Sequence, residues 1–353
     1  MKQRLDHVKD IIAQENVDGF LISSRPNTFY FTNFTGSTSK CLVTKNKVYL
    51  VVDFRYTIQA KDQVFPGIEV IQYDKTINDA LNTLCQNDDV TKLGIEGGDV
   101  TFSAYNEIND GLSCVKSFHD LQKQLSKVRT IKDEGEIEKI QKAVDIADKV
   151  FEEILPFIKP GVKEYDIANE MEYKMKKLGA KGPSFETIVA SGPRSALPHG
   201  TAGMREMQKG DAIVMDFGAN YEGYCSDITR TVFIGQPSEE IKNIYATVLK
   251  AQLEALCKAA EGMTGKELDN HARSIIYDAG YEKCFGHSLG HGVGVEVHEA
   301  PTISPRGEEV LKQGMVFTIE PGIYVEGFGG VRIEDIVLLT NQGLRILTNS
   351  PKE

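Results

Sequence analysis

The chain has 353 residues, 41% of them hydrophobic and 26% charged, and carries a net charge of −11. That length suits two hydrophobic cores better than one, and the acidic balance with scattered Lys and Arg excludes a nucleic-acid footprint, which needs a basic face. No stretch is apolar for long enough to span a membrane, and the amino terminus has no signal-like apolar run, so a cytoplasmic protein is expected.

The first part alternates helical and extended patterns. Leu5, Val8, Ile11 and Ile12 recur at helical spacing, and Gly19–Ile22 reads as a buried strand. The runs Cys41–Val43 and Val48–Val52 flank the polar turn Lys45-Asn46-Lys47, which predicts a hairpin. Further strands are expected over 68–73 and 93–96, with a helix around 77–84 between them. This predicts a small α/β domain over residues 1–126 and a second domain over 127–353, divided at the short polar stretch Ser126–Asp133.

A long amphipathic helix should follow, with Ile137, Ile140, Val144, Ala147, Phe151 and Leu155 on one face, ended by Pro160-Gly161. The next helix carries Ile167, Met171, Met175 and Leu178 and stops at Gly179. The same order recurs from Ser238, where a helix carries Ile241, Tyr245, Val248, Leu249 and Leu256. Another helix then opens on the capping box Thr264–Glu267 and runs to Gly280. The joints Pro160-Gly161-Val162-Lys163-Glu164 and Gly262-Met263-Thr264-Gly265-Lys266-Glu267 are alike, which suggests two related halves, although only the joints match by residue.

Within the strands of this second part lie five residues able to hold metal. Ala212–Phe217 is apolar and β-rich until Asp216 interrupts it, and the turn Asn220-Tyr221-Glu222-Gly223 returns the chain through Asp227. A hairpin there lets the two aspartates approach, which is unfavourable unless something bridges them. Either one alone reads more readily as a turn or capping aspartate. His291 lies in Phe285-Gly286-His287-Ser288-Leu289-Gly290-His291-Gly292-Val293-Gly294. His287 and His291 have the spacing of a helical zinc pair, but the glycines argue against a helix and for a turn or strand whose backbone approaches a ligand closely. His298 precedes Glu299 without forming HExxH. Glu320 closes the strand Met315–Ile319 before Pro321-Gly322. Glu334 follows Val331-Arg332-Ile333, which places Arg332 on the same strand face as Glu334.

Four carboxylates gathered in a half-buried sheet repel one another unless cations neutralise them. With one imidazole they form a hard donor set, which favours Mn²⁺, with Co²⁺ or Zn²⁺ as alternatives. Two such ions would also activate water for hydrolysis. None of the six cysteines (Cys41, Cys85, Cys114, Cys225, Cys257, Cys284) belongs to this set. Without CxxC pairing, each reads as a small buried hydrophobe in a reducing compartment.

Three motif matches fail on context. Gly286-His287-Ser288-Leu289-Gly290 fits GxSxG, but no His follows His298 to complete a triad. Gly290-His291-Gly292-Val293-Gly294 opens no helix, as a dinucleotide fingerprint must. Gly262–Glu267 lacks P-loop spacing.

With these residues in view, the chain resembles the pita-bread metallopeptidases of the aminopeptidase P and prolidase (Xaa-Pro dipeptidase) branch. In the first domain the resemblance rests on Phe31–Ser37 and Asp53-Phe54-Arg55-Tyr56. In the second it rests on Met215-Asp216-Phe217-Gly218, Ser226–Thr231, Gly290-His291-Gly292, Glu320-Pro321-Gly322 and Val331–Asp335. It implies a creatinase-like α/β amino-terminal domain and a pita-bread domain with pseudo-two-fold related halves. Methionine aminopeptidases share the ligands but usually lack the first domain, and creatinase has the layout without the metal set.

The resemblance further implies that Asp216, Asp227 and Glu334 hold one metal and that Asp227, His291, Glu320 and Glu334 hold the other. A bridging hydroxide would attack the carbonyl before proline, with Glu320 passing on its proton. His298 would stabilise the tetrahedral intermediate, His199 would contact substrate and shuttle protons, His287 would line the pocket, and Arg332 would orient a ligating carboxylate. The implied substrate is a proline-containing peptide or dipeptide, with neither nucleic acid nor membrane as a partner, and the implied assembly is a homodimer or larger. The alternative is a metal-free scaffold of the same fold, against which all five ligand positions being filled argues. The stretch Thr201–Met207 is more apolar and basic than a solvent loop should be.

Overall fold

The structure is a computed structural model and describes residues 2–352. The chain divides into two compact units, Met1–Val128 and Arg129–Glu353.

In the first unit, α1 (Lys2–Gln14) leads into β1 (Gly19–Ile22), buried throughout as its unbroken apolar run requires. Ser24 caps α2 (Arg25–Thr32), its hydroxyl accepting from the Asn27 N–H, with Pro26 in the first turn where no N–H partner is needed. The expected hairpin is β2 (Lys40–Thr44) and β3 (Val48–Val52). There follow α3 (Thr57–Gln63), β4 (Glu69–Gln72), α4 (Ile77–Asn87), β5 (Lys92–Ile95), α5 (Phe102–Gly111), β6 (Ser117–Asp120) and α6 (Gln122–Val128). The strands form one sheet in the order β4-β3-β2-β1-β5-β6, antiparallel at its centre and parallel at both sides. The helices that the periodicity did not reveal, α2, α3, α5 and α6, have 7 to 10 residues, too few for a 3.6-residue pattern to stand out.

In the second unit, α7 (Glu134–Ile154) opens on a capping box formed by Asp133 and Glu136. It packs its apolar face with α8 (Glu164–Lys177) against β8 (Ile188–Ser191) and β9 (Ala212–Phe217). Leu155 falls outside that face and is exposed, because the α-helix ends one residue earlier in a tighter turn. A short strand, β7 (Gly182–Pro183), pairs with β10 (Ala219–Tyr221), which forms a hairpin with β11 (Tyr224–Cys225). The chain then returns along β9 as β12 (Ile228–Phe233).

The second half repeats this plan. Ser238 caps α9 (Glu239–Lys258), and Thr264 with Glu267 boxes the start of α10 (Gly265–Asp278). These helices cover a sheet ordered β14-β13-β15-β18-β19, made of β13 (Gly290–Gly292), β14 (Glu299–Ile303), β15 (Val316–Ile319), β18 (Asp335–Thr340) and β19 (Gly343–Ile346). The hairpin β16 (Gly322–Val325) and β17 (Gly329–Arg332) stands between β15 and β18 in the chain.

The matched joints are equivalent in detail. Gly161 and Gly262 have φ of 85° and 88°, a left-handed conformation that favours glycine. Each donates its N–H to a strand-like segment, to Met207 O and Leu311 O respectively. The following rungs also correspond, Glu164 N to Arg205 O with Gly265 N to Glu309 O, and Tyr165 N to Gly203 O with Lys266 N to Gly307 O. This accounts for the apolar and basic stretch 201–207. It is the partner of the first joint, with Met207 in the core and the Arg205 guanidinium on Asp211.

Three of the six cysteines, Cys41, Cys85 and Cys225, are buried as expected. Cys257 is not: it lies on the outward face of α9 near its end and is exposed.

Candidate metal centre

The β9–β12 pairing sets Asp216 opposite Thr229, so Asp227, the last residue before β12 begins, returns to the same end of the hairpin. His291 is the middle residue of β13, not a helical residue. The glycines beside it serve strand packing: a Cβ on Gly290 would lie 2.0 Å from Thr318 O, and one on Gly292 2.0 Å from Ala300 O. Glu320 follows the last residue of β15 at the turn into β16.

Arg332 and Glu334 do not share one strand. The chain leaves β17 at Arg332 and enters β18 at Asp335, so Ile333 and Glu334 form the crossing between two sheets. The two side chains nevertheless meet, because both reach Thr229. Its hydroxyl donates to Glu334 Oε2 at 2.7 Å and accepts from Arg332 Nε at 3.0 Å. The Glu334 N–H also donates to Thr229 O, joining the sheets at this point.

The five candidate ligands thus line one cavity of about 480 Å³. His291 Nε2 lies 3.2 Å from Glu320 Oε1 and 3.6 Å from Asp227 Oδ2. One donor atom each from Asp227, His291 and Glu334 falls within 4.8 Å of the others. Asp216 Oδ2 accepts from Arg332 Nη2 at 2.5 Å, but Asp216 Oδ1 and Glu334 Oε1 are buried without a hydrogen-bond partner. A buried carboxylate oxygen left bare costs about 1–3 kcal/mol or more. Two such oxygens on residues that line one cavity, beside an imidazole and two further acids, fit a divalent cation.

The electrostatics agree. Burial, then the neighbouring Glu334, Asp216 and Glu320, push the Asp227 carboxyl well above its ordinary range. Burial, with Glu320 and Asp216, does the same to Glu334. Burial also pushes Glu320 upward, but the hydrogen bond and charge of His291 overcome it and leave Glu320 below its usual value. A cluster in which two acids resist ionising is one that cations would stabilise.

The same cavity is lined by His199, His287, His298 and Arg332. The His287 ring sits between Ser288 O at 2.8 Å and Tyr324 Oη at 2.9 Å, and burial pushes its pKa down. The His298 ring lies edge-on to His291 with centroids 4.3 Å apart, and burial, then the neighbouring His291, lower its pKa too. His199 follows Pro198, whose carbonyl accepts from Arg332 Nη1 at 3.2 Å.

Two participants escaped the sequence reading. Tyr324 accepts from Arg332 Nη1 at 2.7 Å and touches His287, and burial pushes its hydroxyl up to about 12. Thr229 joins Arg332 to Glu334. The signal for Thr229 was its place two residues after Asp227, the spacing at which an extended chain repeats one face.

Residues 138–341 match the model of metallopeptidase family M24, and residues 4–131 match that of the creatinase/prolidase N-terminal domain. An Xaa-Pro dipeptidase of Pyrococcus furiosus is 41% identical over 100% of this chain and 99% of its own length. A solved Xaa-Pro dipeptidase from Bacillus anthracis has a TM-score of 0.97 at 42% identity, covering 100% of this chain and 98% of that one. An X-Pro aminopeptidase from Thermotoga maritima has a TM-score of 0.89 at 45% identity, covering 96% and 97%.

Proposed function

Because the chain belongs to metallopeptidase family M24, we propose that it hydrolyses the amino-terminal Xaa-Pro bond of peptides or dipeptides. The observation that carries this reading is the pair of bare buried oxygens, Asp216 Oδ1 and Glu334 Oε1, in a cavity shared with Asp227, His291 and Glu320. Asp216, Asp227 and Glu334 would hold one divalent cation and Asp227, His291, Glu320 and Glu334 a second, with Mn²⁺ favoured by the oxygen-rich donor set. Such ions supply an acidified water and polarise the scissile carbonyl.

The chain's own groups do the rest. Glu320, held by Thr318 Oγ1 at 3.1 Å and by His291, is the base that takes a proton from water and returns it to the proline nitrogen. That return matters because a tertiary amide nitrogen leaves poorly unless protonated. His298, its pKa lowered, donates a hydrogen bond to the developing oxyanion as a neutral imidazole. His199 and His287 line the substrate's space. Arg332 and Tyr324 hold Asp216 and His287 in place.

The reading includes a homodimer or larger assembly, in keeping with the family resemblance, and a cytoplasmic location, in keeping with the unpaired cysteines; no helix among the described residues is long and apolar enough to cross a membrane.

The test is hydrolysis of Ala-Pro and Ala-Pro-Ala by chelated and Mn²⁺-reloaded protein. Both activities should vanish on chelation and return with metal, and their ratio reads the preferred peptide length. Full turnover by Asp227→Ala would defeat the reading.

A further inference from the structure

His298 lies on the loop between β13 and β14, and the residue that fixes this loop is its neighbour Glu299. The Glu299 side chain is 3% exposed. Its Oε1 accepts from the Glu296 N–H at 3.0 Å, which closes the loop on itself around Val297 and His298. Gly294 gives it room, since a Cβ there would lie 2.7 Å from the Glu299 carboxylate.

A buried carboxylate needs cations, and two arrive from the segment before α7. Arg129 Nη2 lies 3.2 Å from Glu299 Oε1 and also pairs with Glu296, while Lys132 Nζ lies 3.4 Å from Glu299 Oε2. Both cations are nearly inaccessible, with side-chain exposures of 6% and 1%. Their own segment is anchored independently. The Lys132 N–H donates to Gly314 O at 2.9 Å, and Ile131 pairs with Met315, the residue before β15. Strand β15 is thus flanked by Glu320 at one end and, at the other, by the residues that anchor the clamp on Glu299.

We propose that Arg129 and Lys132 are positioning residues for His298, acting through the Glu299 carboxylate. The inference rests on His298 facing the reacting carbonyl, as proposed above. Neither cation lines the cavity, so their effect passes through the loop: they fix where the imidazole sits relative to His291.

The experiment compares wild type, Lys132→Met, His298→Ala and the double variant, all metal-loaded. Lys132→Met should lower kcat roughly 10- to 100-fold, with KM and bound metal changed less than about twofold. The double variant should be no slower than His298→Ala, because both substitutions remove the same placement. Losses that multiply would overturn the proposal. A second readout does not depend on turnover. In zinc-loaded protein with ¹⁵N-labelled histidine, the His298 ring signals should move in Lys132→Met while those of His199 and His287 stay. An unmoved His298 signal would also overturn it. If Lys132→Met does not fold, Arg129→Lys, which keeps the charge but loses the guanidinium geometry, must shift the same signals. If His298→Ala retains full activity, the role given to His298 fails, and the ring signals still decide whether the clamp exists.

Discussion

Glu334 and Asp335 are neighbours in the chain, both buried, and they meet opposite electrostatic surroundings. Asp335 accepts from Arg230 Nη2 at 2.8 Å, Thr348 Oγ1 at 2.7 Å, Gln252 Nε2 at 2.7 Å and Lys352 Nζ at 2.6 Å. Burial alone would raise its pKa, but Arg230 and Lys352 outweigh it and hold the carboxyl below the usual range. Glu334 has the Thr229 hydroxyl and an oxygen with no partner, and its pKa is pushed up. The opposing strand alternates in step: Thr229 faces Glu334, and Arg230 faces Asp335. An acid that the protein has fully satisfied is structural, and one left bare beside others is waiting for something the chain does not supply.

The largest expected effect that would break this contrast lies on the Glu334 side. Glu334→Gln should cut Xaa-Pro turnover by about a thousandfold, as expected for losing several kcal/mol of metal-assisted barrier lowering. The same change should raise the melting temperature of the metal-free protein by about 2–4 °C, since it removes a repelling charge worth on the order of 1 kcal/mol. Calorimetry on the chelated variant checks this, and a lowered melting temperature would count against Glu334 being strained.

Asp335→Asn should behave in the reverse sense. It leaves Arg230 and Lys352 without their shared anion, and denaturant titration should find a loss of about 3–5 kcal/mol while bound metal is retained. Next in size, Thr229→Val should weaken metal binding roughly 10- to 100-fold by removing the hydroxyl that joins Glu334 to Arg332, as read by competition with a chelating dye.

The smallest effect is in pH dependence, and it sharpens the contrast. Asp227 and Glu334 have folded-state pKa values above their unfolded ones. Their contribution to metal-free stability is therefore full below the ordinary carboxylate range and is lost as pH rises through the raised values. For Asp335 the folded value is lowered, so its contribution is present above the unfolded value and is lost as pH falls through the folded one. Melting curves of chelated wild type and Glu334→Gln should therefore diverge as pH rises, and saturating metal should remove the wild type's loss of stability at high pH.

Much of this was legible beforehand because it is local. The helix start at Ser238, the capping box Thr264–Glu267, the stop at Gly179, the Lys45–Lys47 hairpin and the glycines that keep His291 out of a helix act within a few residues. What stayed hidden is long-range. The break between Arg332 and Glu334 carries no local signal, because Ile333 and Ile336 continue an apolar pattern across it. The polar stretch after Ser126 reads as a domain boundary, yet Arg129 and Lys132 are buried, since their partners Glu296 and Glu299 lie 167 residues onward.

The sequence by itself determined which groups could bind metal and which faces of helix and strand would be apolar, because residue chemistry and backbone period are properties of a few consecutive positions. Only the tertiary structure decided which acids are satisfied and which are bare. That choice rests on pairs such as Thr229 with Glu334, 105 residues apart, and Arg230 with Asp335, 105 apart. Two neighbouring carboxylates differ in role only because folding sends one toward cations and the other toward a cavity.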